Sequence, residues 1–221
     1  MPRRARFVVP GYPHHVTQRG NRRQTTFYSD DDYRKYLSLL TEALRKVDVK
    51  IWAYCLMPNH VHIIAVPGNA DDLARLFREA HHRYARYVNA RNEWQGHLWQ
   101  ERFYSTVMDE EHLLAAARYI ELNPVRAGLC RRPDEWRWSS LHAHMKHRAD
   151  PIICAGPLEE IVSDWATFLS EPDDNSMYDD IRRSTRVGWP VGGDSFLAKI
   201  EMITGKRARR MRPGPKPMNK R

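Results

Sequence analysis

A chain of 221 residues, 42% of them apolar, can bury a sizeable core, and none of its apolar runs reaches the roughly 18 residues that a membrane helix needs. Its three cysteines, Cys55, Cys130 and Cys154, are far apart and form no CxxC pair, so neither a disulfide framework nor a zinc ribbon is expected and a reducing cytoplasm fits. The net charge of +9 is uneven: residues 1–23 hold six arginines and no acid, residues 206–221 hold eight Lys/Arg and no acid, and the body between them is net −5.

Two basic arms on a mildly acidic body suit a polyanion partner, because each neutralised phosphate releases condensed counterions. A solvated tail would look the same in composition.

In chain order, MPRRARFVVP sets basic residues ahead of only three apolar ones, so neither export nor membrane insertion is expected. PHHVTQRG, residues 13–20, alternates side chains before a Gly-Asn turn and predicts a strand. SDDDYRKYLSLLTEALRKV opens on Ser29 as a helix N-cap with acids in the first turn. Its Tyr33, Tyr36, Leu37, Leu40, Leu44 and Val47 fall at amphipathic-helix spacing.

DVKIWAYCLM switches to period two and reads as a buried strand, with HVHIIAV, across the Met-Pro-Asn corner, as its antiparallel partner. A second helix over about residues 71–91 puts Leu73, Leu76, Phe77, Ala80, Tyr84 and Val88 on one face. Arg75, Arg78, His82, Arg86 and Asn89 share the other, a stripe with no acid that could also be an ordinary solvated face. HLWQERFYSTVMD predicts a fourth strand, and a third helix over residues 110–123 stops at Pro124.

The order β-α-β-β-α-β followed by a helix predicts an α+β fold of the split βαβ, ferredoxin-like kind. That is an antiparallel sheet with helices on one face, here with extra C-terminal helices and a basic tail. Beyond Pro124 the pattern weakens to two helical candidates, residues 158–169 and 195–203, separated by the acidic loop EPDDNSMYDD. Residues 1–145 read as the main domain, 146–205 as a helical extension and 206–221 as a basic, disordered tail.

His60 and His62 in MPNHVHIIAVPG lie two apart on a strand, so both rings project from one face, about 6–7 Å apart. They could share a metal ion, or they could be two imidazoles packed in a sheet, since a pair lacks the third ligand most sites require. Ile64 stands where a histidine-triad hydrolase would need its next histidine, and Ile64, Ala65 and Val66 also break a metallo-β-lactamase HxHxDH pattern. On the third helix Leu113, Leu114, Ala117 and Ile120 make an inward stripe, while Tyr119 and Asn123, four apart, share a neighbouring face. A nucleophile and a hard ligand could stand side by side there; a packed tyrosine and a helix C-terminal asparagine are the plainer reading.

PHHVTQRGNRRQ, YCLMPNHVHIIAVP, GHLWQERFYS, ARYIELNPVRAGL and EWRWSSLHAH, in this order and spacing over roughly residues 5–145, resemble the REP-associated tyrosine transposases. These are a branch of the one-tyrosine HUH transposases, named for histidine, hydrophobic residue, histidine. TRVGWPVGGDSFL adds a weaker match.

The resemblance implies that His60 and His62 are metal ligands, Tyr119 the catalytic nucleophile and Asn123 the polar residue completing the metal site, where related insertion-sequence enzymes carry glutamine. It implies a catalytic domain over 1–145, Mg²⁺ or Mn²⁺ as cofactor, and a monomer. It also implies an enzyme that cuts and rejoins single-stranded REP-type hairpin DNA through a 5′-phosphotyrosine intermediate. Imidazole ligands would by themselves favour zinc and later transition ions. No nucleotide-binding loop is visible.

For a single strand, charge must follow phosphates and aromatic faces must meet bases. Candidate DNA contacts are Arg3, Arg4, Arg6, His15, Arg19, Arg22, Arg23, Arg75, Arg78, Arg86, Lys206, Arg207, Arg209 and Arg210. Trp136 and Trp138, alternating with Arg137, could stack on bases or close the core. Two rival functions remain at this point: a REP-hairpin DNA-binding regulator of the same fold that does not cut, and a phosphodiesterase of small nucleotides.

Overall fold

The expected alternation of strands and helices sets up one sheet with two differently covered faces. A computed structural model describes residues 6–146, 148–154, 156–172 and 175–209. The strands are β1 (His14–Arg19), β2 (Val49–Met57), β3 (His60–Pro67) and β4 (Tyr104–Val107). The helices are α1 (Asp30–Leu44), α2 (Asp72–Arg91), α3 (Glu110–Arg126), α4 (Leu141–His144), α5 (Pro157–Ile161), α6 (Trp165–Ser170), α7 (Asn175–Val187) and α8 (Asp194–Thr204).

The strands lie in the order β2-β3-β1-β4 with antiparallel neighbours, which is the ferredoxin-like arrangement that the element order predicts. Period two then sorts the side chains. Val16, Val61, Ile63 and Ala65 pack with Tyr36, Leu40, Leu76 and Tyr84 of α1 and α2 in one core. Ile64 and Val66 join Leu113, Ala116, Ala117 and Ile120 of α3 in a second core on the opposite face, so α1 and α2 cover one face as expected and α3 covers the other, which the expectation of helices on one face did not include.

Strand β2 also serves both cores by alternation, and where its register with β3 slips between Ile51 and Ala53 two consecutive residues, Trp52 and Ala53, fall on the same side. Ile51, Tyr54 and Leu56 fall in the first core, whereas Trp52, Ala53, Cys55 and Met57 fall in the second. Trp138 stacks on Tyr33 at 4.7 Å, so it closes the first core, and the Trp136 indole donates to the Leu56 carbonyl.

Helix α1 starts at Ser29, but its hydroxyl makes no capping bond. The Asp32 carboxylate accepts from the Tyr28 N–H instead and is paired with Arg91 at the end of α2. Helix α3 is capped by Asp109, which accepts from the His112 N–H at 3.1 Å.

Three local expectations are corrected. Helix α3 does not stop at Pro124: the Ala127 N–H reaches Asn123, Gly128 reaches Val125 and Leu129 reaches Pro124, so only the one bond proline cannot give is lost. The helix expected over residues 158–169 is two short ones, because Asp164 caps α6 by accepting from Ala166 and Thr167. Part of EPDDNSMYDD belongs to helix α7, which buries Tyr178, Ile181 and Thr185.

Leu158, Trp165, Tyr178, Ile181 and Val191, from the expected helical extension, share the second core with α3. Among the described residues no helix is long and apolar enough to cross a membrane.

Candidate active site

On the sheet face away from α1 and α2, register sets Thr17 beside His62 and Arg19 beside His60, with Tyr104 of β4 opposite Thr17. The turn into β3 fixes His60. Asn59 Nδ2 donates to the Arg23 carbonyl at 3.1 Å, and Asn59 Oδ1 shares a hydrogen bond with His60 Nδ1 at 2.6 Å. Gly20 permits this close turn, since a Cβ there would meet the Gln24 carbonyl oxygen at 2.3 Å. Arg22 and Arg23 adopt left-handed backbone, with φ of 52° and 62°, as the chain reverses.

Helix α3 lays Tyr119 over this face. Its ring meets His62 edge-on at 5.4 Å between centroids and His15 at 6.4 Å, while the His60 and His62 rings are 4.8 Å apart. From the far side, α7 brings Arg182, whose Nε donates to the Tyr119 hydroxyl oxygen at 3.3 Å. A cavity of about 380 Å³ lies between, lined by His15, Thr17, Arg19, Arg23, His60, His62, Gln100, Tyr104, Tyr119, Arg182, Thr185 and Arg186. Four of these are arginines and none is an acid, so the cavity favours an anion such as a phosphodiester.

Burial makes the imidazoles neutral. It lowers His60 and His15 to about 3, with Arg19 adding to the effect on His60, and it holds His62 well below its ordinary value, helped by His60, His15, Arg19 and Arg182. Burial and the Arg23 charge pull Arg19 below its usual value, a strain that a bound phosphate would relieve.

A divalent metal fits part of this donor set. His62 Nε2 is buried without a hydrogen-bond partner, and its Nδ1 is held by His15 Nε2 at 2.9 Å. His15 Nδ1 in turn meets the Thr185 hydroxyl at 2.9 Å. A neutral imidazole whose second nitrogen is hydrogen-bonded is the usual form of a metal-bound histidine. Asn123 is buried on α3 with its Nδ2 unpartnered, but it does not line the cavity. Among the described residues no cluster of three or more His, Cys, Asp or Glu could hold a metal, so further ligands would have to be amide, water or phosphate oxygens.

The expected DNA contacts are dispersed. Arg19 and Arg23 line the cavity and Arg22 is exposed beside it. His15 lines the cavity as well, but it is only 1% exposed and bonded at both nitrogens, to Thr185 and to His62, so it supports His62. The Arg6 guanidinium donates to the Phe103 carbonyl and covers that ring at 3.8 Å, and Arg75 pairs with Asp72. Arg78 and Arg86 are exposed on α2, across the sheet from the cavity. Lys206, Arg207 and Arg209 follow α8 outside the cavity, and Arg3, Arg4 and Arg210 lie outside the described residues.

Sequence reasoning missed Asn59, Arg182, Thr185 and Arg186. For the α7 group the signal was present as spacing, since 182, 185 and 186 share one face of any helix through them.

A family model described as "Transposase IS200 like" matches residues 8–123. The REP-associated tyrosine transposase of Escherichia coli (strain K12) is 23% identical over 141 residues, covering 63% of this chain and 82% of that one. A solved REP-associated tyrosine transposase, bound to a REP hairpin, shares the fold with a TM-score of 0.58 and 23% identity, covering 71% of this chain and 92% of that one.

Proposed function

The chain belongs to the IS200-like transposase family, and from that premise we propose that it is a metal-dependent single-stranded DNA endonuclease and strand transferase acting on REP-type hairpins through Tyr119. The observation that carries the reading is one cationic cavity that gathers Tyr119 from α3 and His60 and His62 from β3, although Tyr119 stands 57 residues beyond His62.

In the proposed reaction the Tyr119 oxygen attacks the scissile phosphorus, the bond to the departing 3′ oxygen breaks, and a 5′-phosphotyrosine link and a free 3′-hydroxyl result. The phenolic proton ends on that 3′ oxygen by way of solvent. An aryl phosphate ester keeps the energy of the broken bond, so an incoming 3′-hydroxyl can reverse the step without ATP. Arg19, Arg23 and Arg186 hold the non-bridging oxygens. Thr17, Gln100 and Tyr104 supply neutral hydrogen-bonding groups along the same wall.

His60 and His62 would hold Mg²⁺ or Mn²⁺, with Asn123 the residue that the resemblance adds to them. When bound, the ion withdraws charge from the phosphate under attack. In this reading residues 1–145 carry the nucleophile and the metal ligands while α7 completes the cavity wall, and the protein acts as a cytoplasmic monomer.

The test incubates the protein with a labelled single strand carrying a REP-type hairpin and Mg²⁺ or Mn²⁺, and looks for a denaturation-resistant adduct. Wild type should form it and Tyr119→Phe should not, while both bind the hairpin. Binding without an adduct under either ion would leave a hairpin-binding regulator. Turnover of small nucleotides independent of Tyr119 would leave a phosphodiesterase. Activity restored to metal-stripped protein by zinc alone would overturn the metal assignment.

A further inference from the structure

The family model ends at residue 123, yet the cavity does not: helix α7 contributes Arg182, Thr185 and Arg186 to its wall. Spacing of three and four puts these residues on one helical face. Tyr178 and Ile181, both buried in the second core, anchor the adjoining face against α3.

The contact between Arg182 and Tyr119 is directional. Nε points at the phenol oxygen at 3.3 Å, and the guanidinium carbon lies 5.0 Å from the ring centroid. Asp179, one turn earlier, accepts from Nη1 at 3.1 Å and fixes the fork without blocking Nε. The Tyr119 hydroxyl accepts here, so negative charge appearing on that oxygen meets a donor already in place. Arg126 adds a second cation 5.4 Å from the same ring and 4.0 Å from that of Tyr178.

We propose that Arg182 is a catalytic residue of the strand-transfer reaction, holding the Tyr119 oxygen both when it attacks phosphorus and when it departs as phenolate. This rests on the proposed function above. In the forward direction the Tyr119 Oη–P bond forms, the P–O3′ bond breaks, and the phenolic proton passes to the 3′ oxygen. In reverse a 3′-hydroxyl re-forms the P–O3′ bond and the phenolate regains a proton. In each direction charge builds on the oxygen that Arg182 Nε faces, and a preorganised donor acts there at no reorganisation cost.

A covering role for α7 would require only bulk over Tyr119. It would not require the N–H of a held guanidinium on the reacting oxygen, nor two further polar residues, Thr185 and Arg186, on the cavity wall.

The experiment measures single-turnover adduct formation on the labelled hairpin strand, with hairpin affinity measured separately, for wild type, Arg182→Gln and Arg182→Lys. Arg182→Gln is expected to slow adduct formation about 100-fold and to change hairpin affinity by less than about threefold, while Arg182→Lys recovers part of the rate. The same pair is then compared with a fluorinated tyrosine at position 119. Its phenolate needs less stabilisation, so the loss from Arg182→Gln should shrink to about tenfold or less.

A rate loss matched by an equal loss of affinity would make Arg182 a DNA contact and overturn the proposal. So would a wild-type rate in Arg182→Gln, or a loss unchanged by fluorination. Wild type that binds the hairpin and forms no adduct would instead remove the proposed function, and this inference with it.

Discussion

Acid should unfold this protein well before its carboxylates are neutralised, because histidines are buried neutral in both cores. Away from the cavity, burial lowers His14 to about 4, His81 to about 3 and His144 to about 4. An unfolded histidine takes its proton near 6.5, so between that pH and 4 the unfolded state binds more protons and stability falls as pH falls. At pH 5 His14 and His81 cost about 2 kcal/mol each, while His144 lies 3.7 Å from the Glu121 carboxyl and titrates together with it.

Glu121 opposes them. Burial raises its carboxyl to about 8, with the Ser140 hydroxyl lowering it less, so the native state holds a proton that the unfolded state loses above about 4.5. Its contribution is full at low pH and lost as pH rises through 8; going from pH 7 to pH 5 regains about 3 kcal/mol. His14 and His81 alone outweigh this by about 1 kcal/mol, and the buried cavity imidazoles His15 and His60, each lowered to about 3, add about 2 kcal/mol apiece. That is a large part of the roughly 5–15 kcal/mol typical of a domain. Urea unfolding followed by tryptophan fluorescence at pH 7, 6 and 5 should show a midpoint that falls at each step. A midpoint unchanged from pH 7 to 5 would refute the claim that these imidazoles are buried uncharged.

Replacing Glu121 by Gln keeps the neutral shape and removes the opposing proton linkage, so Glu121→Gln should be about 3 kcal/mol more stable at pH 7 by urea titration, with the gain shrinking towards pH 5. His15→Ala leaves His62 Nδ1 without its partner; in a Tyr119→Phe background with hairpin DNA present, Mn²⁺ affinity by calorimetry should fall about 10-fold. Deleting residues 210–221 removes five bases, and the slope of log affinity for the hairpin strand against log salt should become shallower by up to about 3.5.

What could be read from sequence was whatever regular backbone carries. Period two placed His60 and His62 on one face, and the order of strands and helices implied the sheet they stand in. Helical spacing grouped Leu113, Ala117 and Ile120 as the buried side of α3. Local pattern could not show that β2 slips by a residue at Trp52 and so puts both Trp52 and Ala53 in the second core, because an apolar run reads the same with or without a bulge.

Nor could it join residues that meet only through the fold. Thr185 touches His15 across 170 residues of chain, and Arg182 meets Tyr119 across 63. The residues 171–180 look like an acidic loop because α7 buries few apolar side chains, chiefly Tyr178 and Ile181, and its cavity face is polar. The same polarity that hid the helix equips it for the site. His15 shows a related limit: charge patterning treats every basic side chain beside a strand as available, whereas packing engages both of its nitrogens.

The charge of the cavity also orders the binding events. Arg19, Arg23, Arg182 and Arg186 line it, among the described residues no carboxylate does, and the two candidate metal ligands are uncharged. A divalent cation entering alone would meet four guanidiniums, of which, among the described residues, only Arg182 is paired with a carboxylate, that of Asp179, at short range and partly out of water. A phosphodiester entering first removes that repulsion and supplies hard oxygen ligands that two imidazoles lack. Metal and DNA should therefore bind with positive coupling, and linkage makes it reciprocal: the factor by which hairpin DNA tightens Mn²⁺ must equal that by which Mn²⁺ tightens the DNA, on the order of 5–150-fold. Calorimetry of Tyr119→Phe with Mn²⁺, with and without the hairpin strand, measures the first factor, and hairpin titrations with and without Mn²⁺ measure the second. Equal Mn²⁺ affinity in the free and DNA-bound protein would mean that the arginines do not govern metal entry.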